Sequence, residues 1–422
     1  MSIKNQAEIE KKRYLVGGAV RDNLLNLTVK DKDWVVVGVN QQQMLDAGFQ
    51  QVGKDFPVFL HPETHDEHAL ARTEKKLSAG YTGFTCYAEP DVTLEDDLRR
   101  RDLTINAMAQ NQAGKIIDPY NGQYDLNNKT LKHVSNAFVE DPLRVLRVAR
   151  FAAKLHHLGF TIAPETVDLM RTLAESGELA SLTPERIWIE TEKALQTPNP
   201  RAYFEALKAC NALAIIYPEI DKLWGIPNPA EWHPEIDTGE HTMLVLQQAC
   251  LYSDDIAIRF SALCHDLGKA VTPANEWPSH HGHEKRGVPI IKKLCDRLRI
   301  PNELKSLACI VSEFHLHTHK AFDLKAQTIL KIFDSMDVWR KPERFNSFLT
   351  CCLADFTGRL GFENREYPQI NYLNDCLIAA NAIDIQSIIK RGFQGKAIRE
   401  ELTKQRITAI KTIKAAQTHN KQ

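Results

Sequence analysis

Two aspartates one residue apart, Asp31 and Asp33 in "KDKDWVVVG", follow closely on "YLVGGAVRD", which holds Gly17, Gly18 and Arg21. Carboxylates set so close repel each other, so the pair suits a cation. Mg2+ takes carboxylates together with substrate phosphates. On a strand, positions 31 and 33 project to the same side. A Gly-Gly turn between strand and helix lets the backbone approach a ligand, and the N–H groups at the helix start attract phosphate oxygens. Arg21 stands one turn into that helix, in reach of such an oxygen. The set suits phosphoryl or nucleotidyl transfer, in which Mg2+ ions activate a hydroxyl and stabilise a leaving pyrophosphate.

These residues need elements to hold them. "RYLV" and "DWVVVGV" read as buried strands, "PVFLHP" and "EHALARTE" as shorter ones, and "NQAGKIIDPYNG" as a hairpin turning at Gly114. Helices fit Ala19–Leu25, Gln41–Ala47 and Leu94–Arg101. The first 135 or so residues are therefore α+β. From about Phe138 the period becomes helical: "DPLRVLRVARFAAKLHHLG" stops at Gly159, and Thr183-Pro184 opens a later helix. The proline-rich Tyr217–His241 stretch is the linker candidate, and its two tryptophans predict packing.

The residues "LVGGAVRD" and "KDKDWVVVG" resemble the catalytic head of the polymerase-beta-like nucleotidyltransferases. The closest likeness is to class II CCA-adding enzymes, in their bacterial multifunctional form with an HD phosphohydrolase domain. "LRRRDLTINAMA" resembles the family's nucleotide- and ribose-binding motif, "DPYNGQYDL" the next Gly-x-x-Asp-Leu element, and "EDPLRVLRVARF" its base-selecting helix. The resemblance implies a head with a small mixed sheet over 13–137, an all-α neck over 138–225, an HD domain over 238–339 and a helical tail over 340–422. It also implies addition and repair of the 3′ CCA of tRNA from CTP and ATP, with Asp31 and Asp33 holding Mg2+. Gly18, Arg21, Arg101, Arg147 and Arg150 would hold the nucleotide. Asp102 fits the same pocket, and the polar loop Glu74–Thr85 corresponds to one that helps switch from C to A.

Asp141, Arg144, Arg147 and Arg150 recur every third residue, roughly along one helical face. Cytosine and adenine each show an amino donor beside a ring-nitrogen acceptor. A carboxylate only accepts and a guanidinium only donates, so Asp141 and Arg144 match C and A and mismatch U and G.

A second constellation is His265-Asp266 followed by Gly268-Lys269, which resembles the HD phosphohydrolase signature. His241 and Asp355 match its outer ligands. Two imidazoles and two carboxylates suit a transition metal such as Ni2+ better than Mg2+. His283 and His315 correspond to additional pocket histidines, while His280, His281, His317 and His319 read as surface residues. In the family an intact HD motif accompanies phosphatase, 2′-nucleotidase and 2′,3′-cyclic phosphodiesterase activities. Bacterial poly(A) polymerase is the alternative within the superfamily; those enzymes typically lack the HD histidines.

The net charge of −1 does not announce a nucleic-acid partner, which local basic clusters must meet. Residues 382–422 carry a net +6 and are a candidate tRNA contact. No apolar run is long enough to span a bilayer. With nine scattered cysteines and no apolar leader, the expectation is a cytoplasmic protein with reduced thiols. Oligomeric state is not legible.

Overall fold

The computed structural model describes residues 2–29, 31–52, 58–76 and 84–419. It forms two compact units, residues 1–216 and 217–422. No helix among the described residues is long and apolar enough to cross a membrane.

The first unit is α+β. It opens with helix α1 (Ser2–Lys11), which the polar N-terminus did not predict, then strand β1 (Arg13–Val16) and helix α2 (Gly18–Leu24). β2 (Asp33–Val36), α3 (Gln41–Asp46), β3 (Gln50–Val52), β4 (Val58–Leu60) and β5 (Glu67–Leu70) follow. β6 (Thr73–Lys76) and β7 (Phe84–Tyr87) form a separate antiparallel ribbon. Of the expected loop Glu74–Thr85, the ends are therefore strands, and residues 77–83 lie outside the described set. After α4 (Leu94–Arg99) come the short strands β8 (Ala109–Gln110) and β9 (Ile116–Ile117), joined through Gly114 at φ +79°. The seven-stranded sheet runs β3-β4-β5-β2-β1-β8-β9; only β2–β5 is parallel, so it is mixed. Val16, Val35, Leu98, Ala107 and Ala109 fill one side of its centre.

Helix α5 (Gly122–Asn127) packs on the segment before β8 and leads to α6 (Leu143–Leu155). Val145, Leu146, Val148, Ala149 and Ala153 on α6 are fully buried. They recur at helical spacing, so α6 is held by its apolar face while its arginines lie along another. α7 (Pro164–Glu175) and α8 (Pro184–Leu195) each start with proline, whose missing N–H is harmless there. α8 packs on α6.

The second unit is all helical. The expected linker, 217–241, is ordered. Trp224 packs on Gly239, where any Cβ would strike the indole, and donates from Nε1 to Glu240 at 3.1 Å. The Lys396–His419 helix buries Ile410 against the preceding helices and lays Arg406 over the Trp339 ring at 3.4 Å.

Candidate functional site

The first unit contains a cleft of about 1470 Å³. Among the described residues, eight arginines and two lysines line it against five aspartates, so it is cationic in a near-neutral chain. β1 and β2 pair antiparallel with Val16 opposite Asp33, which puts the Gly17-Gly18 turn and Asp33 at one end of the sheet. Gly17 sits at φ +66°, and a Cβ there would come within 2.8 Å of Arg101 Nη1. Glycine thus allows the turn and the close approach together. β2 begins at Asp33. Asp31 lies in the exposed loop before it, so the two carboxylates share the cleft rather than one strand face. Partial burial raises the Asp33 pKa against the pull of Arg101, and Asp31 raises it further. A cation placed between the two carboxylates relieves that repulsion, so the pair fits Mg2+.

The cleft arginines are held by partners. Arg21 is buried, donating to Asp22 Oδ1 (2.8 Å) and Asn106 Oδ1 (2.5 Å). Arg101 pairs with buried Asp97 at 3.1 Å. Asp102 accepts from Leu103 N, Asn106 Nδ2 and Arg147 Nε at 2.7–2.9 Å. Burial works against its charge, but Arg147 and these donors hold its pKa well below the usual carboxylate range. Arg150 donates to Glu190 Oε2 at 2.5 Å. Arg150, Arg21 and Arg147 stand 4.3, 4.9 and 6.0 Å from the centre of the Phe151 ring. Arg144 donates to the Ala137 and Arg100 carbonyls at 2.5 and 2.6 Å, and Asp141 accepts from Leu143 N at 3.0 Å. All these arginines and aspartates except Asp97 line the cleft, with Gly18.

"DPYNGQYDL" supports this cleft from behind. Asp118 caps α5 by accepting from Gly122 N (2.6 Å) and Gln123 N (2.9 Å). Asp125 accepts from Thr104 Oγ1 at 2.6 Å. A Cβ on Gly122 would be driven into the Thr104 carbonyl oxygen. The motif therefore clamps the segment that carries Arg101, Asp102 and Asn106.

The second unit gathers a different chemistry. His241 stands in the first turn of the Thr238–Tyr252 helix, and His265-Asp266 follows the Ile256–Cys264 helix. His283 opens the His283–Leu298 helix, His315 lies near the end of Asn302–His319, and Asp355 near the end of Pro342–Thr357. All six are buried. His241 Nε2 lies 3.1 Å from Asp355 Oδ1, and His265 Nε2 lies 3.1 Å from Asp266 Oδ2 and 3.8 Å from Asp355 Oδ1. His265, His283 and His315 turn Nδ1 to main-chain carbonyls at 2.7, 2.9 and 3.0 Å, which leaves Nε2 as the lone-pair nitrogen. His265 Nε2, His283 Nε2 and Asp266 Oδ1 are buried without a hydrogen-bond partner. Unpaired acceptors facing one another fit a divalent metal. Gly268 lets the adjoining turn touch the His283–Leu298 helix, since a Cβ there would meet the His283 carbonyl and, at 2.7 Å, Gly287 N.

Family models match in the same order. Residues 13–132 match a poly A polymerase head domain, 159–223 a probable RNA- and SrmB-binding site of polymerase A, and 238–339 an HD domain. A multifunctional CCA protein of Aliivibrio salmonicida (strain LFI1238) is 61% identical over 398 residues, which is 94% of this chain and 98% of that protein. The chain belongs to the multifunctional CCA protein family. Its fold is that of solved CCA-adding enzymes. One from Bacillus stearothermophilus, in complex with CTP, has TM-score 0.62 and 22% identity, covering 97% of this chain and 91% of that one. One from Thermotoga maritima, complexed with tRNA, has TM-score 0.63 and 18% identity, covering 98% and 95%.

Several residues around these multifunctional CCA family sites escaped the sequence reading. Glu190 and Arg186 come from α8; the latter lies 3.4 Å from Asp141 Oδ1. Their i, i+4 spacing with Lys193 following was a visible stripe. Asp22 binds Lys154 at 3.0 Å, a pairing across 132 positions that no local pattern reveals. Two histidines expected at the surface are not there. His280 is buried and bonds the Pro227 carbonyl at 2.8 Å; His319 Nε2 lies 2.7 Å from Asp355 Oδ2. The four-residue step from His315 to His319 puts both on one helical face. Glu235, 2.8 Å from His241 Nδ1 and 3.0 Å from His233 Nδ1, sits in the proline-rich stretch without a sequence signal.

Proposed function

We propose that the first unit adds and repairs the 3′-terminal CCA of tRNA, using CTP and ATP and releasing pyrophosphate. The carrying observation is the Asp31–Asp33 pair beside the Gly17-Gly18 turn in a cationic cleft. Asp31 and Asp33 hold Mg2+, which when bound offsets the charge that develops as pyrophosphate leaves. The tRNA 3′ hydroxyl loses its proton and bonds the α-phosphorus, while the bond to the β-phosphate oxygen breaks. Gly18 offers backbone N–H; Arg21, Arg101, Arg147 and Arg150 receive the triphosphate. Asp141 and Arg144 present the acceptor–donor edge that fits C and A.

The second unit is a phosphohydrolase with phosphatase, 2′-nucleotidase and 2′,3′-cyclic phosphodiesterase activity. His241, His265, Asp266 and Asp355 hold a transition metal such as Ni2+, which when bound activates water toward a phosphate ester. The working divisions are head 13–137, neck 138–225, HD domain 238–339 and tail 340–422, the basic tail meeting tRNA in the cytoplasm. A poly(A) polymerase would share the head chemistry; the complete HD cluster and the Aliivibrio relative favour the CCA reading.

The test is incubation with tRNA lacking its 3′ end, supplying CTP and ATP separately and together. CTP alone should give C addition, and A should follow only with both. Incorporation of A without C would overturn the assignment in favour of poly(A) synthesis. Asp31→Ala with Asp33→Ala should abolish addition and spare hydrolysis; His265→Ala with Asp266→Ala should do the reverse.

A further inference from the structure

We propose that Arg359 receives the phosphate group of the ester hydrolysed in the second unit; this rests on the phosphohydrolase reading of that unit. Arg359 stands four residues beyond Asp355, just past the end of the Pro342–Thr357 helix, and its side chain is only 10% exposed. A guanidinium buried that far stays charged and carries five N–H donors, so it calls for acceptors.

The residues around it do not supply them. Nε is buried and, among the described residues, has no hydrogen-bond partner. Nη2 lies 3.8 Å from Asp355 Oδ1, too far for a hydrogen bond. It lies 3.4 Å from His319 Nε2, but that nitrogen is no acceptor. His319 Nε2 stands 2.7 Å from Asp355 Oδ2, where two lone pairs would repel, so Nε2 carries the hydrogen and donates it. Nδ1 then accepts from the Tyr367 hydroxyl at 2.7 Å. Arg359 Nη2 therefore meets an N–H instead of a lone pair.

The turn that carries Arg359 is held in place. A Cβ on Gly358 would come within 2.7 Å of Val245, so glycine lets the turn press on the Thr238–Tyr252 helix, which also carries His241. Leu360 N donates to Glu235 Oε2 at 3.3 Å, and Glu235 Oε1 lies 2.8 Å from His241 Nδ1. The Phe356 ring centre is 5.8 Å from the guanidinium carbon. A fixed cation with unfilled donors thus borders the His–Asp cluster. Its planar fork can donate to two phosphate oxygens at once. As the water oxygen bonds phosphorus and the ester P–O bond breaks, one water proton ends on the leaving oxygen and the other stays on the phosphate. Arg359 keeps its own hydrogens and offsets the charge that builds on the phosphate oxygens.

Full-length wild type, Arg359→Ala and Arg359→Lys are supplied with Ni2+ and assayed on 2′-AMP and 2′,3′-cyclic AMP, with inorganic phosphate as competing inhibitor. Bound Ni2+ is measured by atomic absorption, and folding by the urea midpoint. Arg359→Ala should lower kcat/KM by about 10²-fold and raise the phosphate inhibition constant about tenfold or more. Its Ni2+ content should equal that of wild type, and added guanidinium ion should restore part of the rate. Arg359→Lys keeps the charge but not the fork, so it should recover the inhibition only in part; it carries the comparison where the alanine chain does not fold. A kcat/KM within about threefold of wild type, with phosphate inhibition unchanged, would overturn the proposal and leave the hydrolase reading standing. Loss of activity together with loss of Ni2+ would also overturn it, because Arg359 would then only brace Asp355. No hydrolysis by wild type, with Mn2+ and Co2+ tried as well, would overturn the hydrolase reading and this proposal together.

Discussion

Gly122 does not line the cleft, yet replacing it with alanine should disable nucleotide addition. The added methyl would lie 2.8 Å from Met108 Cγ and closer still to the Thr104 carbonyl oxygen. Ordinary contact needs about 3.4 Å, so a retreat of at least about 0.6 Å is required in a densely packed interior. Methionine can bend. The Thr104 carbonyl cannot, because Thr104 N is tied to the Lys132 carbonyl at 2.9 Å and its oxygen accepts from Ala107 N at 2.9 Å. Overpacking of this kind costs about 1–3 kcal/mol of stability. The displaced segment carries Arg101, Asp102 and Asn106, and Asn106 orients Arg21. A misplacement of about 1 Å at a reacting centre is worth about 10²-fold, or about 2.7 kcal/mol. Incorporation of labelled CMP into tRNA lacking its terminus should therefore fall by about 10²-fold in kcat/KM. Phosphate-ester hydrolysis by the same preparation gives the amount of active second unit, which is compact on its own, and the urea midpoint of the variant checks that the first unit is folded. Incorporation within about twofold of wild type would refute the clamp argument.

Asp102→Asn keeps the shape but removes the charge facing Arg147; a charge-assisted pair of this kind is worth about 1.5–3 kcal/mol, and KM for CTP and ATP should rise together with a lower urea midpoint. Phe151→Leu removes the ring that Arg21, Arg147 and Arg150 surround, so KM for both nucleotides should rise more than kcat falls; an unchanged KM counts against the ring's role. His68 is buried beside Arg13 with its pKa lowered by burial to about 4, so the unfolded chain takes up the proton first as pH falls. Stability should drop between about pH 6.5 and 4, by about 3 kcal/mol in all, and His68→Gln should flatten that slope in urea titrations. Stripping divalent ions and returning only Mg2+ should restore nucleotide addition, whereas phosphate-ester hydrolysis should need Ni2+ or a similar ion; recovery of both with Mg2+ alone argues against the HD donor set.

Sequence reading worked where chemistry and local period coincide. β1, β2 and the Gly114 hairpin are short apolar runs with turn residues at their ends, and α6 has an apolar stripe three turns long. The HD candidates were visible because each residue type can itself be a ligand. The reading faltered at Asp31, where alternation continued past the point at which β2 stops pairing: the ladder with β1 ends at Val16–Asp33. It named proline-rich 217–241 as the linker candidate, and the packing that its tryptophans predict is present at Trp224. There Trp224, His233 and Glu235 are fixed by contacts with Gly239 and His241, which only the folded chain brings together.

The counter-ions were the part no motif could supply, and they alter how the cleft works. An arginine cluster alone would repel itself and disperse its side chains. Here Asp22, Asp102 and Glu190 each anchor a guanidinium before substrate arrives, and two main-chain carbonyls fix the plane of Arg144. Ordering long side chains on binding costs roughly 0.5–1.5 kcal/mol each, so under the proposed function a prearranged set would bind a triphosphate without that loss. Arg147 shows the principle most directly. It holds Asp102 at 2.7 Å and stays 3.9 Å from Glu190 Oε1, so its head is positioned from two sides while 37% of its side chain remains open to the cleft. Two anchoring anions and an open face are what the proposed phosphate role asks of Arg147 and what an arginine that only stitches helices together would not need, and neither property can be read from a three-residue repeat along one helix.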